Sequence, residues 1–318
     1  MNAPIGFVLL THAHPDQALR LVSRLNAMFD RPPIAWHHDF SRSALEPGRV
    51  PDNAALVRPH VRTAWAEFSI VEATVRAVRQ LYDGPAPDWF VVLSGADYPI
   101  KPADRILDDL RSGGYDAHIE HELIAAPHFA REWQRELHKR YCEARTVHVP
   151  WVTRRLRVTR RALRVTHPLL LRWLLPFSAT FRCYAGPHWF SGNRRAAEHL
   201  LAFHASRPRL AAHYRPILFP EESYFQCALA NAPQLRLHDR NYRYVEWPED
   251  GDASHPKTLT CDDLPALLAS PCHFARKFDP AVDSAVLDAL DSAVGAAPGR
   301  AVEPGGLLKP EPKQGRRG

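Results

Sequence analysis

The chain has 318 residues, 45% hydrophobic and 24% charged, enough for a sizeable core in one large domain or two small ones. Its formal charge of +6, from 41 Lys and Arg against 35 Asp and Glu, is a modest excess that suits a local anionic partner better than a general nucleic-acid coat. Zinc-finger spacing, an aromatic RNP motif and a basic heptad region are absent, so no nucleic-acid partner is expected.

The opening MNAPIGFVLLTHAHPDQ lacks a basic n-region and reads as a first strand over 5–10, not a signal peptide. PDQALRLVSRLNAMF (15–29) reads as a helix with Ala18, Leu19, Val22, Leu25 and Met28 on one face. IAWHHD (34–39) predicts a short strand ending in His37, His38 and Asp39, and ALVRP (55–59) a third strand. SIVEATVRAVRQLY (69–82) is an amphipathic helix with Ser69 as its N-cap. WFVVLSGADYPIKP then gives a buried strand that stops on Ser94, Gly95, Asp97 and Tyr98, with Lys101 just beyond. ADRILDDLRS supplies another helix, ending at Gly113-Gly114. This rhythm predicts an α/β fold, a doubly wound sheet with ligand loops at its carboxyl edge.

The second half is less regular. TRRLRVTRRALRV (153–165) sets Arg154, Arg157, Arg161 and Arg164 at helical spacing, flanked by Arg155 and Arg160. The following LLLRWLLPF, with Trp173, is too short to cross a bilayer. Residues 151–177 are therefore expected to form a basic, partly apolar helical surface, able either to cover the sheet or to dock on anionic lipid. HWFSGNRRAAEHLLAFH (188–204) reads as strand, turn and helix, and PEESYFQCALANA (220–232) as a helix with an acidic first turn. A short helix is expected over 281–294 and a disordered tail over 295–318. The location expected is cytoplasmic, or peripheral on the inner membrane face.

Motif chemistry is mostly exclusion. Cys142, Cys183, Cys227, Cys261 and Cys272 form no CxxC pair, so reduced, mostly buried thiols are expected. GxGxxG, GxxxxGK[ST] and GxSxG are absent, against Rossmann cofactor binding, P-loop chemistry and a hydrolase elbow. Asp250-Gly251-Asp252 is read as a solvated turn in preference to a metal site.

FVVLSGADYPIKP, the opening IGFVLLTHAHPDQALRLVSRL, WHHD, AWAEFSIVEATVRAVRQLY, GPHWFSGNRRAAEHLL, FPEESYFQCAL and LTCDDLPALLASPCHFARKFD occur in an order that resembles the core-2/I-branching β-1,6-N-acetylglucosaminyltransferases and the related peptide O-xylosyltransferases. The resemblance covers about residues 5–280 and implies a single catalytic domain over 1–280, of the GT-A glycosyltransferase type with a doubly wound mixed sheet and helices on both faces. It implies inverting transfer from a UDP-sugar, most simply UDP-N-acetylglucosamine, to a glycan or lipid-linked glycan acceptor, with no metal or other cofactor. Transfer from UDP-xylose, or a non-catalytic sugar- or nucleotide-binding protein of the same fold, are the alternatives.

Carried over residue by residue, the family's base falls on Glu222, which the helix N-terminus is expected to keep ionised. Glu221 replaces an Asp of the motif and is assigned with Trp189 to the acceptor. The diphosphate lysine falls on Lys277 of the terminal block, about 254–280, while a second family cation falls on Ser254, leaving Lys257 or Arg276 as substitutes. Asp97, Ser94 and Gly95 are expected to shape the floor of the sugar-nucleotide site, and Asp39 to meet the uracil or ribose. His12 and His14 are read as local structure.

Overall fold

The computed structural model describes residues 3–124, 132–143, 145–148, 162–165, 174–248 and 255–295. The chain runs β1 (Ile5–Thr11), α1 (Pro15–Phe29), β2 (Ile34–His38), β3 (Ala54–Leu56), α2 (Ser69–Asp83) and β4 (Trp89–Ser94). Next come β5 (Tyr98–Pro99), α3 (Ala103–Arg111), β6 (Ala117–His118), β7 (Glu122–Leu123), α4 (Glu132–Cys142), β8 (Arg145–His148) and β9 (Ala162–Val165). The remainder is β10 (Tyr184–Ala185), β11 (Ser191–Asn193), α5 (Arg194–Ser206), α6 (Pro208–Tyr214), α7 (Glu221–Ala230), β12 (Leu237–His238), β13 (Arg243–Val245), α8 (Leu264–Ala269), β14 (Phe274–Arg276) and α9 (Ala285–Gly295).

The main sheet has the order β12-β6-β11-β4-β1-β2-β3. β1 lies between β2 and β4 and is parallel to both, whereas β11 is antiparallel to β4 and β6, so the sheet is mixed. Alternation along the central strands sends side chains into two separate layers. Ile5, Phe7, Leu9, Val91 and Leu93 pack with Leu21 of α1, Ile106 of α3 and Leu287 of α9. Val8, Phe90 and Val92 pack with Val75 of α2, Leu200 of α5 and Phe225 of α7. Each such large side chain removed from water contributes about 1.5–3 kcal/mol. The expected α/β architecture, helices on both faces of a mixed sheet, is what the chain adopts.

Two local readings change. Ser69 is the first residue of α2 and not its cap; its hydroxyl instead accepts the Ala64 N–H at 3.0 Å, tying down the preceding loop. Residues 162–165 form a strand, not the end of a helix, because β9 pairs antiparallel with β8 and sets Arg164 opposite Thr146. Cross-strand pairing overrides the helical pattern there and takes Arg164 out of any helical stripe. The short helix expected over 281–294 is α9, Ala285–Gly295. Val286, Leu287 and Leu290 of α9 enter the core, and Tyr98 donates to Asp291 at 2.7 Å.

Arg154, Arg155, Arg157, Arg160, Arg161, Trp173, Asp250, Asp252, Ser254 and residues 296–318 lie outside the described residues. Among those described, no helix is long and apolar enough to cross a membrane. All five cysteines are free; Cys183 and Cys227 are buried, while Cys261 is exposed.

Asn193 joins β11 to α5 and serves two neighbours. Its Oδ1 accepts the Ala196 N–H at 3.1 Å as a helix cap, and its Nδ2 donates to buried Asp116 at 2.9 Å. Asn193→Ala is expected to cost about 1–2 kcal/mol in urea unfolding. An unchanged midpoint would show that the cap carries no weight.

Candidate active site

A cavity of about 840 Å³ opens at the carboxyl ends of β1, β2 and β4, where Thr11, His37 and Ser94 line it. Strand order reverses at β1, the place where an open sheet parts its loops and leaves a crevice. A buried chain of hydrogen bonds fixes this edge. Trp36 Nε1 donates to Thr11 Oγ1 at 2.7 Å, and that hydroxyl lies 2.8 Å from His38 Nδ1. His38 Nε2 lies 2.8 Å from the Ser43 carbonyl, which requires the proton on Nε2 and leaves Nδ1 to accept from Thr11.

Asp39 is fully buried and does not line the cavity. Its Oδ1 accepts from Ser41 N and Oγ at 3.0 and 2.7 Å, and its Oδ2 from Thr63 N and Oγ1 at 2.7 and 2.9 Å. Burial alone would raise its pKa, but the hydrogen bonds from Ser41 and Thr63 outweigh that and bring it to about 2. The expected nucleotide contact is thus replaced by a tether that presents Thr63 to the cavity. Gly95 is also reassigned. A Cβ there would lie 3.0 Å from Thr11 Cγ2 and 3.6 Å from Ala18 Cβ, so the glycine lets β4's end pack closely on β1 and α1.

Asp97, also fully buried, organises the cationic side of the site. Its Oδ2 accepts from the backbone N–H and the hydroxyl of Ser94. Its Oδ1 faces Arg243 Nη1 at 3.6 Å and Arg276 Nε at 3.8 Å. Arg243 is almost completely enclosed and donates to the Val92 carbonyl at 2.9 Å. The Arg276 guanidinium lies 4.4 Å from the Trp189 ring centroid. Burial lowers the pKa of both guanidiniums and Asp97 opposes it. Two arginines share one carboxylate, and Lys277 follows directly, so this part of the cavity carries excess positive charge. Arg243 was not singled out in the sequence; its signal was a charged residue inside the apolar alternation of YRYVEW.

Two expected binders change role. Lys257 is held by Glu246 at 3.0 Å and Asp263 at 2.6 Å and does not line the cavity, so its charge is already matched. Trp189 does line the cavity, but one face supports Arg276. Trp65 and Trp247, 62% and 58% exposed, offer freer aromatic surface around the same cavity.

Glu221 and Glu222 open α7 immediately after a constrained corner. Phe219 (φ 55°) and Ala66 (φ 61°) both occupy the left-handed region, at about 1–3 kcal/mol each, and Phe219 N donates to Ala66 O at 3.0 Å. Tyr141 Oη donates to the Phe219 carbonyl at 2.7 Å. The Gly186 N–H donates to the Glu222 carbonyl at 2.8 Å. No side chain fits at Gly186, since a Cβ would lie 2.2 Å from the Glu120 carbonyl.

Both carboxylates line the cavity. The Glu222 side chain is 40% exposed and its Oε2 lies 3.4 Å from Arg140 Nη1. Burial pushes its pKa up and Arg140 opposes, so the expectation that the helix end dominates is corrected. Glu221 is buried, its Oε2 has no hydrogen-bond partner, and burial raises its pKa to about 7. Among the described residues no three His, Cys, Asp or Glu side chains form a group that could hold a metal.

The cavity thus brings paired carboxylates and clustered cations together at the edge of an open α/β sheet. Residues 20–269 match the family model described as Core-2/I-Branching enzyme, and the chain belongs to that family. β-Glucuronosyltransferase GlcAT14B of Arabidopsis thaliana is 24% identical over 71% of this chain and 48% of its own length. Xylosyltransferase 1 of Rattus norvegicus is 24% identical over 91% of this chain and 35% of its own length. The chain thus spans half or less of these relatives. A solved structure, the apo form of the bifunctional glycosyltransferase WbbM, aligns with a TM-score of 0.35 and 9% identity, over 88% of this chain and 47% of that one.

The Asp39 tether has a pH signature. Its folded pKa of about 2 lies below the ordinary 3.8, so its stabilisation is complete above pH 3.8 and is lost as pH falls through 2. Asp39→Asn is expected to melt lower than the parent at pH 7, with the gap narrowing as pH falls from 4 to 2. A gap constant with pH would contradict the assignment.

Proposed function

We propose that this protein is an inverting glycosyltransferase that moves a sugar from a UDP-sugar to a glycan hydroxyl. The observation that carries this reading is that Glu222 lines the same cavity as Arg243, Arg276 and Lys277. An acceptor hydroxyl attacks well only as its proton leaves, and Glu222 is a half-buried carboxylate on the cavity wall that could take it. The leaving diphosphate gains negative charge as the glycosidic bond breaks. Arg276 and Lys277 meet that charge at the cavity wall, with Arg243 behind them, and the two arginines, anchored by Asp97, need little reorganisation. Attack from the side opposite the diphosphate inverts the anomeric centre. A protein that only binds sugar nucleotides has no use for a base, which favours the enzyme over the binding-module alternative.

The acceptor glycan is assigned to Trp65 and Trp247, whose exposed rings offer flat apolar surface to a pyranose. Glu221, buried beside the base, faces the same space. The family resemblance points to N-acetylglucosamine as the donor sugar, whereas the relatives are named for xylosyl and glucuronosyl transfer. UDP release should therefore be measured with UDP-N-acetylglucosamine, UDP-xylose and UDP-glucuronic acid; release from none of them, with or without glycan acceptors, would sink the reading. Docking of 151–177 on anionic lipid loses part of its basis, since Arg164 lies in a strand.

Glu222→Gln is expected to lower turnover by about 10²–10⁴-fold while UDP affinity, followed by calorimetry, stays close to the parent's. Wild-type turnover in that variant would remove Glu222 as the base. Because fixed cations answer the diphosphate, activity is expected to survive EDTA and gain little from Mn²⁺ or Mg²⁺. Strict metal dependence would instead direct attention to Asp250 and Asp252.

A further inference from the structure

Arg140 stands apart from the other cavity cations. Arg243 and Arg276 gather at Asp97, whereas Arg140 comes from α4 and reaches the opening of α7, with Nη1 at 3.4 Å from Glu222 Oε2. Its guanidinium lies over the Phe219 ring, 4.9 Å from the centroid, and 5.9 Å from that of its neighbour Tyr141. Tyr141 in turn donates to the Phe219 carbonyl, so α4 grips the strained corner before Glu222 by both a ring contact and a hydrogen bond. Among the described residues Glu221 Oε2 has no hydrogen-bond partner.

We propose that Arg140 is a positioning residue for the transfer reaction: it holds the Glu222 carboxylate on the cavity wall and directs ionisation to Glu222, leaving its neighbour Glu221 to carry the proton. The proposal rests on Glu222 being the base. Two carboxylates side by side in a partly dry cavity do not ionise independently, and the one that gains an opposite charge ionises first. Other charges face Glu222 as well. Glu221 neighbours it on the same helix, and Arg42, Glu120, Arg243, Arg276 and Lys277 line the same cavity. Of all these, Arg140 forms the ion pair with it. Burial and the Glu222 charge push Glu221 up, and Arg140 opposes them only in part, in keeping with this division. The Phe219 stack gives the guanidinium a fixed plane, which a flexible ammonium lacks.

The test is the pH dependence of kcat/KM for UDP release from the most active donor, in the parent, Arg140→Met, Arg140→Lys and Glu222→Gln, with UDP affinity and melting temperature measured in each. Arg140→Met is expected to move the acidic limb of the profile up by about 1 pH unit and to lower kcat more than it alters KM. Arg140→Lys keeps the charge and should return the limb close to its original position. UDP affinity should change less than twofold in both. An acidic limb that stays in place in a folded Arg140→Met variant, or a loss matched by weaker UDP binding, would overturn the proposal and make Arg140 a substrate ligand or a structural residue. Should Glu222→Gln retain turnover, the base assignment itself fails, an outcome distinct from an unmoved limb in Arg140→Met.

Discussion

A buried carboxylate between two arginines is the constraint on which the site depends. Asp97 spends one oxygen on the backbone and hydroxyl of Ser94 and turns the other toward Arg243 and Arg276. Taking a guanidinium out of water costs several kcal/mol, and removing the partner of a buried pair costs about 3–5 kcal/mol. Asp97 therefore makes the burial of Arg243 tolerable, yet one negative charge cannot satisfy two positive ones. The unmet charge faces the cavity, where a diphosphate would complete the balance. Structure and ligand chemistry share one electrostatic account.

The same interaction explains why the end of the chain is needed to build a site at the end of β4. β14 pairs with β5 on one side and β13 on the other, placing Ala275 opposite Tyr98 and Arg243 opposite Phe274. That small sheet carries Arg243, Arg276 and Lys277 back to the loop holding Asp97. α9 then locks the arrangement through Asp291, which receives Tyr98 from that loop and Arg20 from α1. The carboxylate side is built separately, by α4, the Phe219 corner and the glycine at 186. Two independently braced walls meet across one cavity, which suits the proposed reaction, whose base and leaving-group stabiliser would have to keep a fixed separation.

Periodicity and motif order made much of this legible. The bounds of α1 follow from its apolar stripe and Pro15, and β1, β2 and β4 from short buried runs, because local pattern and tertiary burial agree there. Glu222, Arg276, Lys277 and Trp189 were found by motif and do line the cavity. What sequence could not show was which polar groups face inward to protein and which to ligand. Asp39 looked like a ligand because it is charged at a strand end, and Lys257 because it lies three residues beyond Ser254, where a family cation falls, but nearby partners engage both. Arg243 was passed over because a charged residue in a short strand resembles a solvated one until the burial is seen. The stretch 162–165 looked helical because arginine spacing carries no information about a distant pairing partner.

The central claim, that the Asp97-anchored cations hold a diphosphate in the same cavity as Glu222, is tested most directly by a crystal structure of the protein with UDP. The account places the diphosphate oxygens within hydrogen-bond distance of Arg276 and Lys277, with the Glu222 carboxylate left free to face an acceptor. A diphosphate seated away from both cations, or one lying against Glu222 in the acceptor's place, would contradict it.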